Sequence, residues 1–484
     1  MIKTSIITIS SVILLTTASV WAVSFEIGES YSAGQEPFWL SKADFNSDGH
    51  LDLAVGHCDE HLYPEIDANS GISVFFGNGD GTFAEAVQYV TGFGTLAICA
   101  GDFDGDGDID LASTRPDRIG FVEPDSLCIL LNDGEGVFEL SPRCETAVVG
   151  CLGMCAVDVD GDSSDDLVMT GYMNDTLCIM KNGGTGSFAL DTCFAAGDYV
   201  TRVCAGDFDS DGDDDLALVN FDNLLIYTND GFGDFTFADG YSNSDQTDIL
   251  VSDFDRDGDG DLMTVSQATD LVTVRLNSGD ATFPFTAYIP VPFMPFSGAL
   301  ADFDGDGNED LALTCHVWDS VSILLGTGDG AFVMDSKYSI ADRPISLEAG
   351  DYDEDGDYDL VVVNNYSNEI TIMLNTTVVT DVTEEDKVAE VPSSFGLRQN
   401  YPNPFNSSTN IQFDLSQRAF VEMTIYNIAG QVVRYLVTEE MSAGVHTVEW
   451  NGSSDAGVPV ATGIYLCHLK AGDFVSMKKM ALLK

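Results

Sequence analysis

Seven times in this sequence, oxygen-bearing side chains recur on a nine-residue frame, D-x-[DN]-x-D-x-x-x-D. The donors at positions 1, 3, 5 and 9 are Asp44, Asn46, Asp48 and Asp52, then Asp102, Asp104, Asp106 and Asp110, then Asp158, Asp160, Asp162 and Asp166. They continue as Asp207, Asp209, Asp211 and Asp215, then Asp253, Asp255, Asp257 and Asp261. The last two sets are Asp302, Asp304, Asp306 and Asp310, and Asp351, Asp353, Asp355 and Asp359. Alternate residues of a tight turn point to one centre, and a glycine at position 6 permits the bend. Only the third copy lacks that glycine, carrying Ser163 instead. Carboxylates held so close repel unless a cation lies between them. Hard oxygen donors in this number suit calcium, which takes six to eight; magnesium demands stricter geometry and more water. The expected cofactor is therefore calcium, up to seven ions, pinning one hairpin per repeat. An EF-hand is excluded, because position 12 is Val55 in the first copy and Ser113 in the second, and an apolar strand-like run follows.

The whole-chain charge agrees. Lys and Arg number 19 against 80 Asp and Glu, a net charge of -61. Such a chain lacks the basic clusters that nucleic acid or an anionic membrane surface requires. Disorder does not explain the charge, since 44% of residues are hydrophobic and 10% aromatic.

The frames start 58, 56, 49, 46, 49 and 49 residues apart, a period typical of propellers and arrays. Each is followed by two apolar runs, such as Leu216-Ala217-Leu218-Val219, and a Gly-rich turn ending in Phe, such as Gly77 to Phe83. These read as strands and hairpins. From each turn Phe to the next frame the distance is 18 to 20 residues, and Phe25 lies 19 residues before Asp44. The seventh repeat runs to Asn375 without a Gly-rich turn or Phe. An extra leading strand and a missing trailing one predict a ring closed by the N-terminal strand. The expected fold is all-β: a seven-bladed β-propeller, followed by a small immunoglobulin-like β-sandwich.

The frame followed by G-N-G-D-G-T-F resembles the FG-GAP/VCBS repeats, related to the integrin α-subunit propeller, over residues 23–375. This resemblance implies a scaffold, not an activity. Residues 1–22 read as a signal peptide, with Lys3, an apolar run from Ile6 to Leu15 and a small-residue site at Val20-Trp21-Ala22. No transmembrane span is expected, and the mature chain is expected to be secreted or at the cell surface. Residues 376–394 read as a linker.

From Phe395 to Lys484 short alternating runs suggest the sandwich. Gln399 to Asn406 (QNYPNPFN), Ile425-Tyr426-Asn427, Trp450-Asn451-Gly452, Gly463-Ile464-Tyr465 and the Lys-rich terminus resemble the type A sorting domain of the type IX secretion system. By that resemblance residues 395–484 address the protein to the secretion machinery on the outer face of the outer membrane.

Spacing also locates variation. Repeats 1 and 2 carry extra residues, Gly56 to Ser70 and Ser113 to Asp125, between their second and third strands. In a propeller these loops lie opposite the Asp loops. A ligand face is placed there on His57, His61, Tyr63, Arg115 and Arg118, with His316 and Trp318 in the matching loop of repeat 6. Its expected partner is an extracellular glycan or protein. His57, Cys58 and His61 could be read as a transition-metal cluster, but no fourth ligand is placed. A polysaccharide-degrading enzyme is the alternative, although no nucleophile elbow, metal helix or phosphate loop is present. Among eleven Cys, Cys128 matches Cys178 and Cys144 matches Cys193 in successive repeats. That pattern reads as a repeated buried site more than a disulfide framework.

Overall fold

The structure is a computed structural model describing residues 23–482, apart from 59–69, 92–93, 116–123, 143, 243–244, 292–293, 378–394, 399, 401–402, 404, 406–407, 428–430, 442–443, 455–457, 459 and 473. The chain divides into two compact units, Met1–Val379 and Thr380–Lys484.

The first unit holds seven antiparallel sheets, six of four strands and one of five. Sheet 1 comprises Pro37–Ala43, Asp52–His57, Gly71–Phe75 and Val87–Val90. Sheets 2 to 6 repeat the plan in chain order, their first strands being Ile98–Gly101, Met154–Val157, Arg202–Gly206, Gln246–Ser252 and Pro295–Ala301. Sheet 7 takes Pro344–Gly350, Asp359–Asn364 and Glu369–Asn375 from the end of the repeat region. Its fourth strand comes from the beginning of the chain: Phe25–Ser32 pairs with Glu369–Asn375, Phe25 opposite Asn375. Each first strand lies against the next, and that of sheet 7 lies against that of sheet 1.

Each frame is the hairpin between a first and a second strand. The second strands are buried on both faces: Asp215–Val219 and Asp359–Asn364 are buried throughout. This explains their unbroken apolar runs, because neighbouring sheets cover both sides. Fourth strands are mostly exposed, as in Phe332–Ser339.

Between sheets, the aromatic at position 2 of one frame meets the turn Phe of the next sheet edge-on or tilted. The pairs Phe45–Phe138, Phe103–Phe188, Phe208–Phe283 and Phe254–Phe332 have centroids 5.4 to 5.9 Å apart. Tyr352 of sheet 7 meets Phe83 of sheet 1 at 5.8 Å. Sheet 7 has no turn Phe of its own, and Phe25 fills the place, 5.6 Å from Phe303.

The second unit stacks a three-stranded sheet (Gly396–Leu397, Thr409–Leu415, Gly444–Trp450) with a four-stranded one (Val432–Met441, Ala419–Asn427, Gly463–Ala471, Phe474–Leu482). Trp450, Phe413, Met423 and Leu469 lie in the core between them.

Cys178 is buried, as the repeated pattern led one to expect, whereas Cys193 is exposed, and the two, whose pairing the sequence left open, are joined by a disulfide. They face one another on adjacent strands, Cα atoms 4.1 Å apart. No helix among the described residues is long and apolar enough to cross a membrane.

Candidate metal centre

The seven frames fold alike, down to individual atoms. Position 1 accepts the backbone N–H of position 6 at 2.7 to 3.2 Å in every frame. Position 5 accepts the N–H of position 7 at 2.7 to 3.1 Å. These side-chain caps hold positions 4 and 6 at positive φ, where glycine is the easiest choice. Ser163 takes φ +69° there and keeps the bond to Asp158, at 2.8 Å.

Position 9 has a second role that the pattern alone did not reveal. Its carboxylate is fully buried in all seven frames. One oxygen accepts the N–H of position 2, at 2.8 to 3.2 Å. The other accepts the N–H of a residue at or just past the end of the third strand: Gly77, Asn132, Asn182, Asn229, Asn277, Gly326 or Asn375, at 2.7 to 2.8 Å. Where that residue is Asn, its side chain donates to the position-2 carbonyl of the preceding sheet: Phe45, Phe103, Val159, Phe208 and Phe303, at 2.7 to 2.9 Å. The Asn that recurs at this position in five of the seven repeats was the sequence signal for this bond between sheets.

Burial drives the position-9 carboxyls up, backbone donors pulling against it. They reach about 6 at Asp52, Asp110, Asp166, Asp215 and Asp261, and about 7 at Asp310 and Asp359. Burial, then the neighbouring acids, also raises position 3 at Asp104, Asp209, Asp255, Asp304 and Asp353.

In frames 2 to 5, oxygens of positions 1, 3 and 9 come within 4.8 Å of one another; in frame 6 positions 1, 3 and 5 do so. Asp160 Oδ1, Asp209 Oδ1 and Asp351 Oδ1 are buried without a hydrogen-bond donor. Converging carboxylates with undonated buried oxygens fit a hard divalent cation.

At the opposite end of the sheets, a different device joins neighbours. The last residue of the turn between second and third strands accepts two N–H groups from the lead-in to the next sheet. Asp175 binds Ala196 and Tyr199, Asp270 binds Val291 and Met294, and Asp319 binds Ile340 and Arg343. Asn368 of sheet 7 binds Ala33 and Glu36 ahead of sheet 1.

The sequence-predicted ligand face lies at this end, and the structure places its members unevenly. His57 belongs to a strand, not a loop: it is 1% exposed, its Nε2 3.1 Å from Gln88 Oε1, packed where Gly34 leaves room. His61, Tyr63 and Arg118 lie outside the described residues, and of Arg115 only the backbone is described. His316 is half-buried against Phe296, ring centroids 5.1 Å apart, and burial and nearby Arg343 lower its pKa. Trp318 is 56% exposed, with Lys337 Nζ 5.8 Å from its ring.

A model described as FG-GAP-like repeat matches residues 44–113, 158–218, 253–313 and 302–362, segments that contain all seven frames. A model described as FlgD Ig-like domain matches residues 401–473. No curated protein matches the chain. The chain thus carries FG-GAP-like repeats of the β-propeller type and a C-terminal Ig-like domain.

Proposed function

We propose that the seven sheets close into a β-propeller pinned by up to seven calcium ions, and that it is an exported, non-enzymatic binding module for a glycan or protein. The observation that carries this reading is the repetition of the same side-chain caps in all seven acidic frames, five of which accept an Asn side-chain bond from the next sheet. Closure is supported by Phe25–Ser32 completing sheet 7 and by the contacts of Tyr352 and Asn368 with sheet 1. In each frame, positions 1, 3, 5 and 9 supply the donors, and calcium supplies the charge that lets them stay ionised together. Binding falls to the loop end, where Trp318 stands exposed and side chains differ from sheet to sheet. Export through the type IX machinery is supported by the motifs of residues 395–484 and the Ig-like domain they occupy.

Ions that bind only the folded state stabilise it by RT ln(1 + [L]/Kd). With Kd of about 0.1–1 mM, usual for extracellular modules, each site adds about 0.4–1.4 kcal/mol at millimolar calcium. Melting the purified protein in calcium and in excess chelator tests the reading. A clear drop in melting temperature on chelation is expected; identical curves would remove calcium from the account. A glycan and protein array on the calcium-loaded chain tests the binding role.

A further inference from the structure

A cavity of about 440 Å³ opens at the loop end, at the seam where sheet 7 meets sheet 1. Its volume lies within the range of small-molecule sites, about 300–1,000 Å³. Gln35, Glu36 and Phe38 come from the lead-in and first strand of sheet 1, Asn365, Tyr366 and Asn368 from the turn of sheet 7, and Arg343 from the lead-in to sheet 7.

The wall is built, not incidental. Arg343 stacks its guanidinium 4.4 Å from the Tyr366 ring centroid and donates from Nη1 to Asn365 Oδ1 at 3.4 Å. Asn365 is 5% exposed and donates to the Pro37 carbonyl at 3.0 Å, tying the two sheets together under the cavity. Arg343 and Glu36 sit at positive φ, 58° and 46°, each held by the turn residue of the preceding sheet. Such backbone positions persist only where surroundings enforce them.

In a chain with 80 acids and 19 bases, the side chains of most cations should find a carboxylate. Among the described residues, no carboxylate lies within ion-pair distance of the Arg343 guanidinium. Tyr366 remains 59% exposed beside it. A guanidinium fork recognises a carboxylate bidentately, aromatic faces accept the C–H face of a pyranose, and side-chain amides serve hydroxyl groups.

We propose that this seam cavity binds a carboxylate-bearing sugar, a uronic-acid residue of an acidic polysaccharide. The proposal rests on the binding-module reading and names its ligand class. Arg343 takes the carboxylate, Tyr366 the ring face, and Gln35, Asn368 and Glu36 the hydroxyls. An acidic peptide would satisfy Arg343 but would leave the aromatic and amide positions without purpose.

Calorimetric titration of the calcium-loaded full chain with β-1,4-linked oligoglucuronate, and with β-1,4-linked oligoglucose differing only at C6, tests this. The uronide should bind at least about tenfold more tightly, the gain from one desolvated charge-assisted contact. Arg343→Gln should abolish that preference, Arg343→Lys should restore part of it, and Tyr366→Ala should weaken both sugars. Unchanged melting curves for the variants would tie the losses to the site. Absent or equal binding of the two sugars overturns the proposal, as does an Arg343→Gln variant that keeps its preference. Equal binding of polyglutamate through Arg343 also overturns it. A glycan or protein that binds on the array regardless of Arg343 and Tyr366 would sink the seam site while leaving the binding module standing.

Discussion

The two ends of the same seven sheets solve one problem, how to join neighbours, with different strictness. At the Asp-loop end position 9 makes the same two bonds within its own sheet in all seven frames, one N–H from its hairpin and one from at or just past the end of the third strand, and at five junctions the Asn so held donates to the preceding sheet. At the loop end an Asp or Asn fixes the next lead-in at four junctions, and the residues so held, Glu36, Tyr199, Met294 and Arg343, have no chemistry in common. The first end has no freedom, because buried carboxylates must be satisfied and also face other acids. The second fixes only backbone, which leaves the side chains open to recognition. One sheet thus has one end held by buried carboxylates and another whose side chains are free to vary.

The most severe way to break the comparison is to act on both ends at once. Deleting residues 23–32 removes the strand that pairs with Glu369–Asn375 and the ring of Phe25 against Phe303. It leaves an unpaired apolar edge, an invitation to aggregation. Loss of the soluble monomer in size-exclusion chromatography is expected, whereas removing residues 380–387 should leave elution and melting unchanged. A monomeric truncation with unaltered melting would mean that the seam is not closed by this strand.

Metal-free protein should expose the electrostatic cost of the Asp-loop end. Position-9 carboxyls that titrate in the unfolded chain near 3.8 are raised by burial to about 6 or 7 in the fold. The folded state therefore holds their protons more tightly, and the stability they confer is full below about pH 4 and lost as pH rises toward 7. Melting temperature of metal-stripped protein should fall between about pH 4 and 7. Excess calcium should cancel or reverse that fall, because the ion replaces the proton. A flat metal-free profile would show that these carboxyls are not raised.

Single substitutions then sharpen the contrast. Asp310→Ala leaves two buried N–H groups without acceptors and should cost about 3 kcal/mol in metal-free denaturation. Asp319→Ala removes one side-chain acceptor from the exposed lead-in at Arg343 and should cost about 1 kcal/mol. Similar costs at the two positions would erase the distinction between the ends.

How legible this was depended on what repeats. The frames, their period and the register of Phe25 predicted the pairing of the first strand with sheet 7, because an in-phase spacing shows through any side-chain variation. Position 9 was read only as a metal ligand, and its two backbone bonds stayed hidden because an acceptor's role leaves no mark on its own identity. His57 was read as a loop residue because the strand runs further than the alternation suggested, and burial then follows from Gly34 and Gln88. The Cys178–Cys193 bond requires knowing which residues face one another across two strands. The seam cavity was beyond reach, since Gln35 and Tyr366 meet only once the chain's two ends are paired.

The smallest effect concerns Ser163, where one frame departs from the other six. Glycine holds position 6 elsewhere at φ 84° to 101°, well beyond the left-handed minimum near 57°. Ser163 instead sits at 69°, close to that minimum, and its N–H still reaches Asp158 at 2.8 Å. The third hairpin has relaxed just far enough for a residue with a Cβ. A non-glycine residue in this region costs about 1–2 kcal/mol, while glycine there gives back about 0.5–1 kcal/mol through the entropy of the unfolded chain. Ser163→Gly should therefore stabilise by only about 0.5 kcal/mol, read as a small rise in the denaturation midpoint. The reverse exchange in an unrelaxed frame, Gly258→Ser at φ 101°, should cost more than 1–2 kcal/mol, roughly the full strain of that region plus the distortion of Asp253's bond to the same N–H. If Gly258→Ser is as mild as Ser163→Gly, the frames tolerate side chains at position 6 generally. Glycine there would then reflect turn propensity alone, not a geometry that the carboxylates impose.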